Sequence, residues 1–288
     1  MSNWELDSLR RKIKVEGEIE LTSGLHIGVG GSLEAVGTDS PVIKDFYRRP
    51  YIPGSSFKGS FRAAIEAIVR GNQFPRNKLW CCDIMGDDKE KCIRREEDKY
   101  ISQDGKEKKA TESDIEDFIW QKSCHICRLF GSPHIASRVK FPDIPVSGSW
   151  DITMYEIRNG VAIDRESETA KSGALYDFEV VPPGTKFKFD MLVENPEDWE
   201  LGLLFTGLEL FNKGYAYLGG IKSRGLGMLK MDFSILTCES AKSLLEEEEP
   251  EITKEKGKIQ EKVKEYKNAL RDHIKKGGED VQKTIQSG

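Results

Sequence analysis

Three sets of residues in this 288-residue sequence have the types and spacing to do chemistry. The first is a carboxylate in a loop. Asp39 stands in GTDSP, residues 37–41, after a stretch bearing Gly24, Gly28, Gly30 and Gly31. An Asp before Ser-Pro is a ready turn former, because its side chain bonds the backbone two residues on. Beside a bound phosphodiester the same carboxylate positions a divalent ion or orients a 2'-hydroxyl for attack. His26, at the mouth of the same loop, is placed to stack on a base or touch a phosphate.

The second set is cationic. Lys58 and Arg62 lie one turn apart just after Ser55 and Ser56, where the free N–H groups of a helix start already favour an anion. Lys222, Ser223 and Arg224 sit in a glycine-rich turn (LGGIKSRGLG, residues 218–227), whose small neighbours let another backbone approach closely. Either cluster alone is commonly a solvated face; the two together suggest phosphate binding. The GVGG stretch at 28–31 is followed by no Lys-Ser/Thr pair and lacks dinucleotide-loop spacing, so nothing supports an NTPase.

The third set is thiols. Cys81, Cys82 and Cys92 precede the CHIC pair Cys124 and Cys127. A CxxC knuckle plus a second thiol pair supplies four soft ligands to tetrahedral zinc, and an insertion with little core of its own needs such a staple. The choice between Cys81 and Cys82 stays open, and His125 is a substitute ligand. With all four ligands from the protein, such a metal is structural. Buried, unligated thiols are the plainer reading.

Elements must position these groups. KIKVEGEIEL, residues 12–21, alternates charged and apolar side chains and predicts a strand. A long loop over 22–53 follows, with a short extended piece at 41–43. Ser55 or Ser56 caps a helix with Phe57, Phe61, Ala64, Ile65 and Ile68 on one face, ending at Gly71. Residues 72–132 read as a charged, Cys-bearing insertion. Strands are expected at 139–146 and 150–157, and a hairpin joins 174–181 to 186–193 around PPGT. A helix apolar nearly all round covers 197–213, and a last strand 228–236. Beyond Cys238, Ile259, Val263, Tyr266, Leu270 and Ile274 recur at helical spacing, predicting an amphipathic helix on a mobile linker. The outline is α+β, with a mainly antiparallel, ferredoxin-like or RRM-like core widened by insertions.

Composition sets the outer limits. With 38% hydrophobic and 32% charged residues the chain has enough apolar material for one large or two modest domains. No apolar run approaches the ~20 residues of a membrane helix, and residues 1–14 are charged, so no membrane role and a cytoplasmic location are expected. A net charge of -5 confines any nucleic-acid site to a local patch.

TSGLHIG, GTDSPVIKD, YIPGSSFKGSFR, CRLFGS, GVAIDRESETAKSGALYDFEVVPPGTKF and LGGIKSRGLGML occur in the order found in the RAMP superfamily. Over residues 12–236 the sequence resembles most closely the crRNA-binding backbone subunit of type III CRISPR-Cas (Csm-type) effector complexes. The resemblance implies a modified RRM-like core in two parts (1–71 and 136–238), a lid-like insertion (72–135), a thumb-like hairpin near 160–175 and a charged helical extension (239–288). It implies copies stacking as a filament along crRNA beside other type III subunits, including the large polymerase/cyclase-like one. Asp39 matches the residue required for cutting target RNA, with Mg or Mn. Ser55, Ser56, Lys58 and Arg62 match the helix that holds the crRNA backbone, and His26 and Lys222–Arg224 match positions lining RNA. The Cys insertion resembles the zinc-stapled insertions of longer relatives, type III-D members included. A non-catalytic RAMP subunit and a crRNA-processing endonuclease are the competing readings.

Overall fold

The structure is a computed structural model that describes residues 8–29, 38–72, 74–76, 78–94, 97, 112–163, 170–246 and 249–276. Along the chain run β1 (Arg11–Leu21), β2 (Tyr51–Ile52), α1 (Gly54–Gly71), α2 (Glu112–Lys122), α3 (His125–Phe130), β3 (Val139–Lys140), β4 (Ile144–Pro145), β5 (Glu156–Ile163), β6 (Ala170–Val180), β7 (Lys186–Glu194), α4 (Asp198–Asn212), β8 (Leu229–Ser240), α5 (Ala241–Leu245), β9 (Glu251–Thr253) and α6 (Lys256–Lys276).

The alternation in β1 does what its period predicts: Ile13, Val15, Ile19 and Leu21 are buried. β1 lies at the centre of an antiparallel sheet of order β3-β7-β1-β8-β9, paired with β7 on one side and β8 on the other. Taken as β1, α1, β3, β7, α4 and β8, the connectivity is β-α-β-β-α-β. The fold is therefore α+β. Phe57 and Phe61 from α1 meet Phe141, Phe189 from β7 and Phe211 from α4, with ring centroids 5.1–5.9 Å apart where they touch. These aromatics bury large apolar areas, fixing α1 and hence everything that its first turns carry.

Several expectations are corrected. The serines do not cap α1: Pro53 holds the N-cap position, and Asp143 Oδ1 accepts the Gly54 N–H at 2.9 Å. A Cβ on Gly54 would stand 2.2 Å from the Phe141 carbonyl, so glycine is what lets the helix start this close to the neighbouring chain. The 174–181 and 186–193 strands do not pair with each other. β6 pairs with β5, and β7 with β1. The prolines at 182–183 carry no N–H, Gly184 turns at φ +83, and its N–H bonds the Leu21 carbonyl, which hands the chain to β1. Residues 150–155 are not strand, because the Asp151 side chain captures the Thr153 N–H and starts a short 3-10 turn. Extended pairing at 41–43 is limited to isolated bridges such as Gly28 with Val42.

The C-terminal helix is docked. Tyr266 of α6 stacks on Phe205, and His273 on Trp199 at 4.0 Å. Gly202 admits this approach, since a Cβ there would lie 2.1 Å from the Tyr266 carbonyl. Ile259 and Leu270 are buried as the helical spacing predicts. No helix among the described residues is long and apolar enough to cross a membrane.

Candidate nucleic-acid interface and cysteine centre

Asp39 is exposed and stands at the edge of β6. Its N–H donates to Asp177 Oδ1 at 2.7 Å, and the Asp177 N–H donates to Asp39 Oδ2 at 3.0 Å. This reciprocal pair holds the carboxylate while leaving one oxygen of each side chain without a hydrogen bond among the described residues. The next positions tie the loop down. Ser40 bonds β6 through its main chain, and Glu179 takes the Val42 N–H at 3.0 Å and the Lys44 ammonium at 2.7 Å. Asp177 and Glu179 alternate along β6 with buried Phe178 and Val180, so both acids face one side of the strand.

His26 is buried, at 6% exposure, and works from within. Its Nδ1 donates to the Glu179 carbonyl at 2.7 Å, so in the neutral ring Nε2 accepts from Ser40 Oγ at 3.3 Å. The structure thus places His26 as a brace between loop and strand, with both nitrogens used, rather than on a surface open to RNA.

On α1, Ser55 is exposed and Ser56 and Lys58 are half-buried. With the Gly54 N–H taken by Asp143 and the Phe57 N–H bonded to the Pro53 carbonyl, the N–H groups of residues 55 and 56 are the ones a helix start leaves without an intrahelical partner. Lys58 Nζ bonds Ser137 Oγ at 2.8 Å, and burial together with Arg62 one turn away holds its pKa below the ordinary lysine value. Gly59 follows, in a helix interior, where a Cβ would meet nothing within 4 Å. An unforced helical glycine costs roughly 0.5–1 kcal/mol relative to Ala, and bare backbone of this kind suits a close-lying ligand.

Arg62 is turned inward. Its Nε bonds Glu66 at 2.8 Å, Nη1 the Gly131 carbonyl at 2.8 Å and Nη2 Cys127 Sγ at 3.4 Å. Burial is the largest single influence and works against its charge, but the hydrogen bonds and charges of Glu66 and Cys127 together outweigh it and raise its pKa. Lys58 and Arg62 therefore do not form the matched pair that their spacing suggests; Arg62 ties α1 to the cysteine insertion.

The glycine-rich turn comes to the same side. Lys222, Ser223 and Arg224 are all exposed. Lys222 Nζ is 3.4 Å from Ser60 Oγ on α1, and Arg224 Nη1 donates to the Tyr176 hydroxyl at 2.5 Å. Ile221, opening the turn, has φ +55, a conformation a β-branched residue adopts only under strain, and strain of this kind clusters at ligand-holding sites. A continuous rim runs from Ser60 through Lys222 and Arg224 to Tyr176, Asp177 and Asp39. Asp177, Glu179 and Tyr176 were not singled out from sequence; two acids alternating with buried apolar residues on a strand were the signal for the first two.

In the insertion the Sγ atoms of Cys82, Cys92, Cys124 and Cys127 all lie within 4.8 Å of one another, a set that could hold a metal ion. Cys82 Sγ is 3.5 Å from that of Cys127 and 3.8 Å from that of Cys124. Cys124 caps α3, its Sγ accepting the Cys127 N–H, while its own N–H reaches Cys92 Sγ at 3.0 Å. Hydrogen bonds from Cys127, Cys82 and Cys92 pull the Cys124 thiol down, and the contacts with Cys124 push Cys92 and Cys127 up. Four thiolates cannot share this space without a cation. Cys81 stays outside, its Sγ donating to the Glu66 carbonyl at 3.7 Å. His125 is outside as well, with Nδ1 accepting the Trp80 N–H at 3.0 Å.

Comparison with known proteins bears on both regions. A family model described as the RAMP superfamily matches residues 18–230. The sequence is 32% identical over 245 residues to the "CRISPR system Cms endoribonuclease Csm3" of Methanocaldococcus jannaschii, covering 81% of this chain and 83% of that protein. Proteins of the same name from Methanothermobacter thermautotrophicus and Mycobacterium tuberculosis are 28% and 27% identical, over 75% and 82% of this chain and 82% and 92% of theirs.

Proposed function

The chain belongs to the RAMP superfamily, and from that premise we propose that it is a crRNA-binding backbone subunit of a Csm-type, type III CRISPR-Cas complex, an endoribonuclease that cuts complementary target RNA at regular intervals. The observation that carries this reading is the placement of Asp39. It is an exposed carboxylate, held by reciprocal hydrogen bonds at one end of a rim whose other end is a phosphate-ready helix start. The guide backbone lies along Ser55, Ser56, Lys58, Gly59 and Lys222–Arg224, and the target strand passes Asp39. β5 and β6 form the thumb expected near 160–175, of which residues 164–169 lie outside the described residues. The RRM-like core presents this face, and copies stack along the guide, with the large polymerase/cyclase-like subunit among the other partners, in the cytoplasm.

At Asp39 the chemistry is transesterification within the RNA strand. The carboxylate accepts the hydrogen of the 2'-hydroxyl beside the scissile phosphate. The 2'-oxygen then bonds phosphorus as the bond to the 5'-oxygen breaks and that oxygen takes a proton from water, giving a 2',3'-cyclic phosphate and a free 5'-hydroxyl. Asp177 keeps the Asp39 backbone and carboxylate in register, and His26 and Glu179 keep the loop on β6. The unbonded oxygens of Asp39 and Asp177 suit a hard cation. Mg or Mn held by these oxygens would supply charge neutralisation at the phosphate.

The four clustered cysteines fit zinc. Sulfurs about 2.3 Å from one tetrahedral ion stand about 3.8 Å apart, close to the separations around Cys82. No ligand position remains open, so the metal is structural and holds the lid-like insertion.

The test uses the protein assembled with its guide RNA. Complementary RNA should be cut at evenly spaced phosphates, and a 2'-deoxy substitution at one such position should abolish that cut alone. Binding without any cutting would leave a purely structural subunit.

A further inference from the structure

A polar cavity of about 390 Å³ opens beside the cysteine centre, with Cys92 and Cys124 in its wall. Arg76, Lys89, Lys91, Arg94, Lys122 and Arg128 line it, and among the described residues Glu97 is the one carboxylate that faces them. That carboxylate is already used: Lys122 pairs with it at 2.8 Å, and the Arg94 N–H donates to it at 2.9 Å. Among the described residues, Arg76, Lys89 and Lys91 have no acidic partner. Like charges gathered in a concave, partly desolvated space repel one another unless an anion joins them.

The arginines are pre-set for such an anion. Arg76 lies 4.4 Å over the Trp80 ring and Arg128 4.7 Å over that of Trp120. Stacking fixes both guanidinium planes; Arg128 spends its Nε and Nη2 on the Trp120 carbonyl, at 3.0 and 2.7 Å, whereas Arg76 keeps an edge able to fork onto phosphate oxygens. His125 also lines the cavity; because Nδ1 accepts the Trp80 N–H, its proton sits on Nε2 and is available as a donor. Ser123, on the same wall and 3% exposed, has an Oγ with no hydrogen-bond partner. A tetrathiolate metal would carry a charge of about -2 and offset part of this excess, but six cations against Glu97 exceed it.

We propose that this cavity is a phosphate-binding site, separate from the rim of α1 and Asp39, that takes a phosphodiester of an RNA strand or the phosphate of a small phosphorylated compound. Its place beside the metal-stapled knuckle means that a ligand bound there reports on, and stiffens, the insertion. The RNA source rests on the proposed function; the small-ligand source does not.

Lys89→Ala with Lys91→Ala removes two unpaired ammonium groups that make no structural hydrogen bond. The full-length protein is titrated with a 4-thiouridine-bearing single-stranded RNA and, separately, with inorganic pyrophosphate, with Lys58→Ala as the control on α1. Crosslinks mapping to residues 86–94 or 121–128, lost in the double variant, are expected. So is a fall of about 1.4 in the salt slope, at about 0.7 per lost phosphate contact. Pyrophosphate that competes away those crosslinks, or that alone raises the melting temperature of the parent and not of the double variant, assigns the small-ligand source. No crosslink in these segments and no pyrophosphate effect overturns the proposal. If Lys58→Ala still weakens RNA binding in that case, the rim reading survives; if it too is silent, both fall.

Discussion

Asp39 and the cysteine centre are held in opposite ways. At Asp39 the backbone and one carboxylate oxygen are bound to Asp177, and the side chain stays at the surface. In the insertion four sulfurs turn toward one another, three of them on buried residues, and the main chain serves as a second layer of donors to them. The first arrangement fixes a group and leaves it something to react with. The second gathers its groups onto one another and onto main-chain N–H donors. The difference separates a site for chemistry from a site for structure without reference to residue type, since carboxylates and thiols both serve either end elsewhere.

The comparison breaks first at the cysteines. Cys124→Ser removes one of the four sulfurs that we propose hold zinc, and structural zinc supplies on the order of 10 kcal/mol in small finger domains. Metal content should fall below about half an equivalent and residues 72–132 should become sensitive to protease. Unchanged metal and unchanged proteolysis would mean that the thiols are merely buried. Arg62→Ala comes next. Glu66 keeps Arg70 at 2.7 Å but loses its second guanidinium, and the Gly131 carbonyl loses its donor; this should lower stability by about 1.5–3 kcal/mol, read as a denaturant midpoint, with little change in the salt dependence of RNA binding. A changed salt slope at full stability would return Arg62 to the interface.

Lys58→Ala should behave in the reverse sense. RNA affinity falls for every sequence, the salt slope drops by about 0.7, and the denaturant midpoint moves little. Gly59→Ala gives the smallest effect and the sharpest sign. The added methyl meets open space, so the helix should gain roughly 0.5–1 kcal/mol while RNA binding weakens. A stabilised variant with undiminished affinity would remove the guide from this turn of α1.

Local pattern made some of this legible in the sequence and tertiary contact hid the rest. The period-two run of β1, the apolar circumference of α4 and the spacing of α6 carried their own burial, so these elements stand where alternation and helical period put them. Pairing was less visible. β6 has the alternation of a hairpin partner for β7, but the bonds from Leu21 to the PPGT turn send β7 to β1, and no local signal encodes that. At the site, Asp39 was marked by its loop, whereas Asp177 matters only because folding brings it 138 residues back along the chain to Asp39. His26 and Arg62 show the converse. Both are types that touch RNA, and both are turned into the protein by hydrogen bonds to partners far off in sequence. Cys81 and Cys82 are neighbours with equal claims by spacing; one sulfur joins the cluster and the other meets the Glu66 carbonyl.

The most direct measurement is target cleavage by the assembled complex carrying Asp39→Ala, with binding of guide and target followed on the same preparation. Because Asp39 is exposed and its N–H survives the substitution, assembly and affinity should stay near those of the parent, while cutting falls by about 10²–10⁴-fold, the span of a lost general acid–base group. Cutting at the parental rate, at the same phosphates, would contradict the assignment of Asp39.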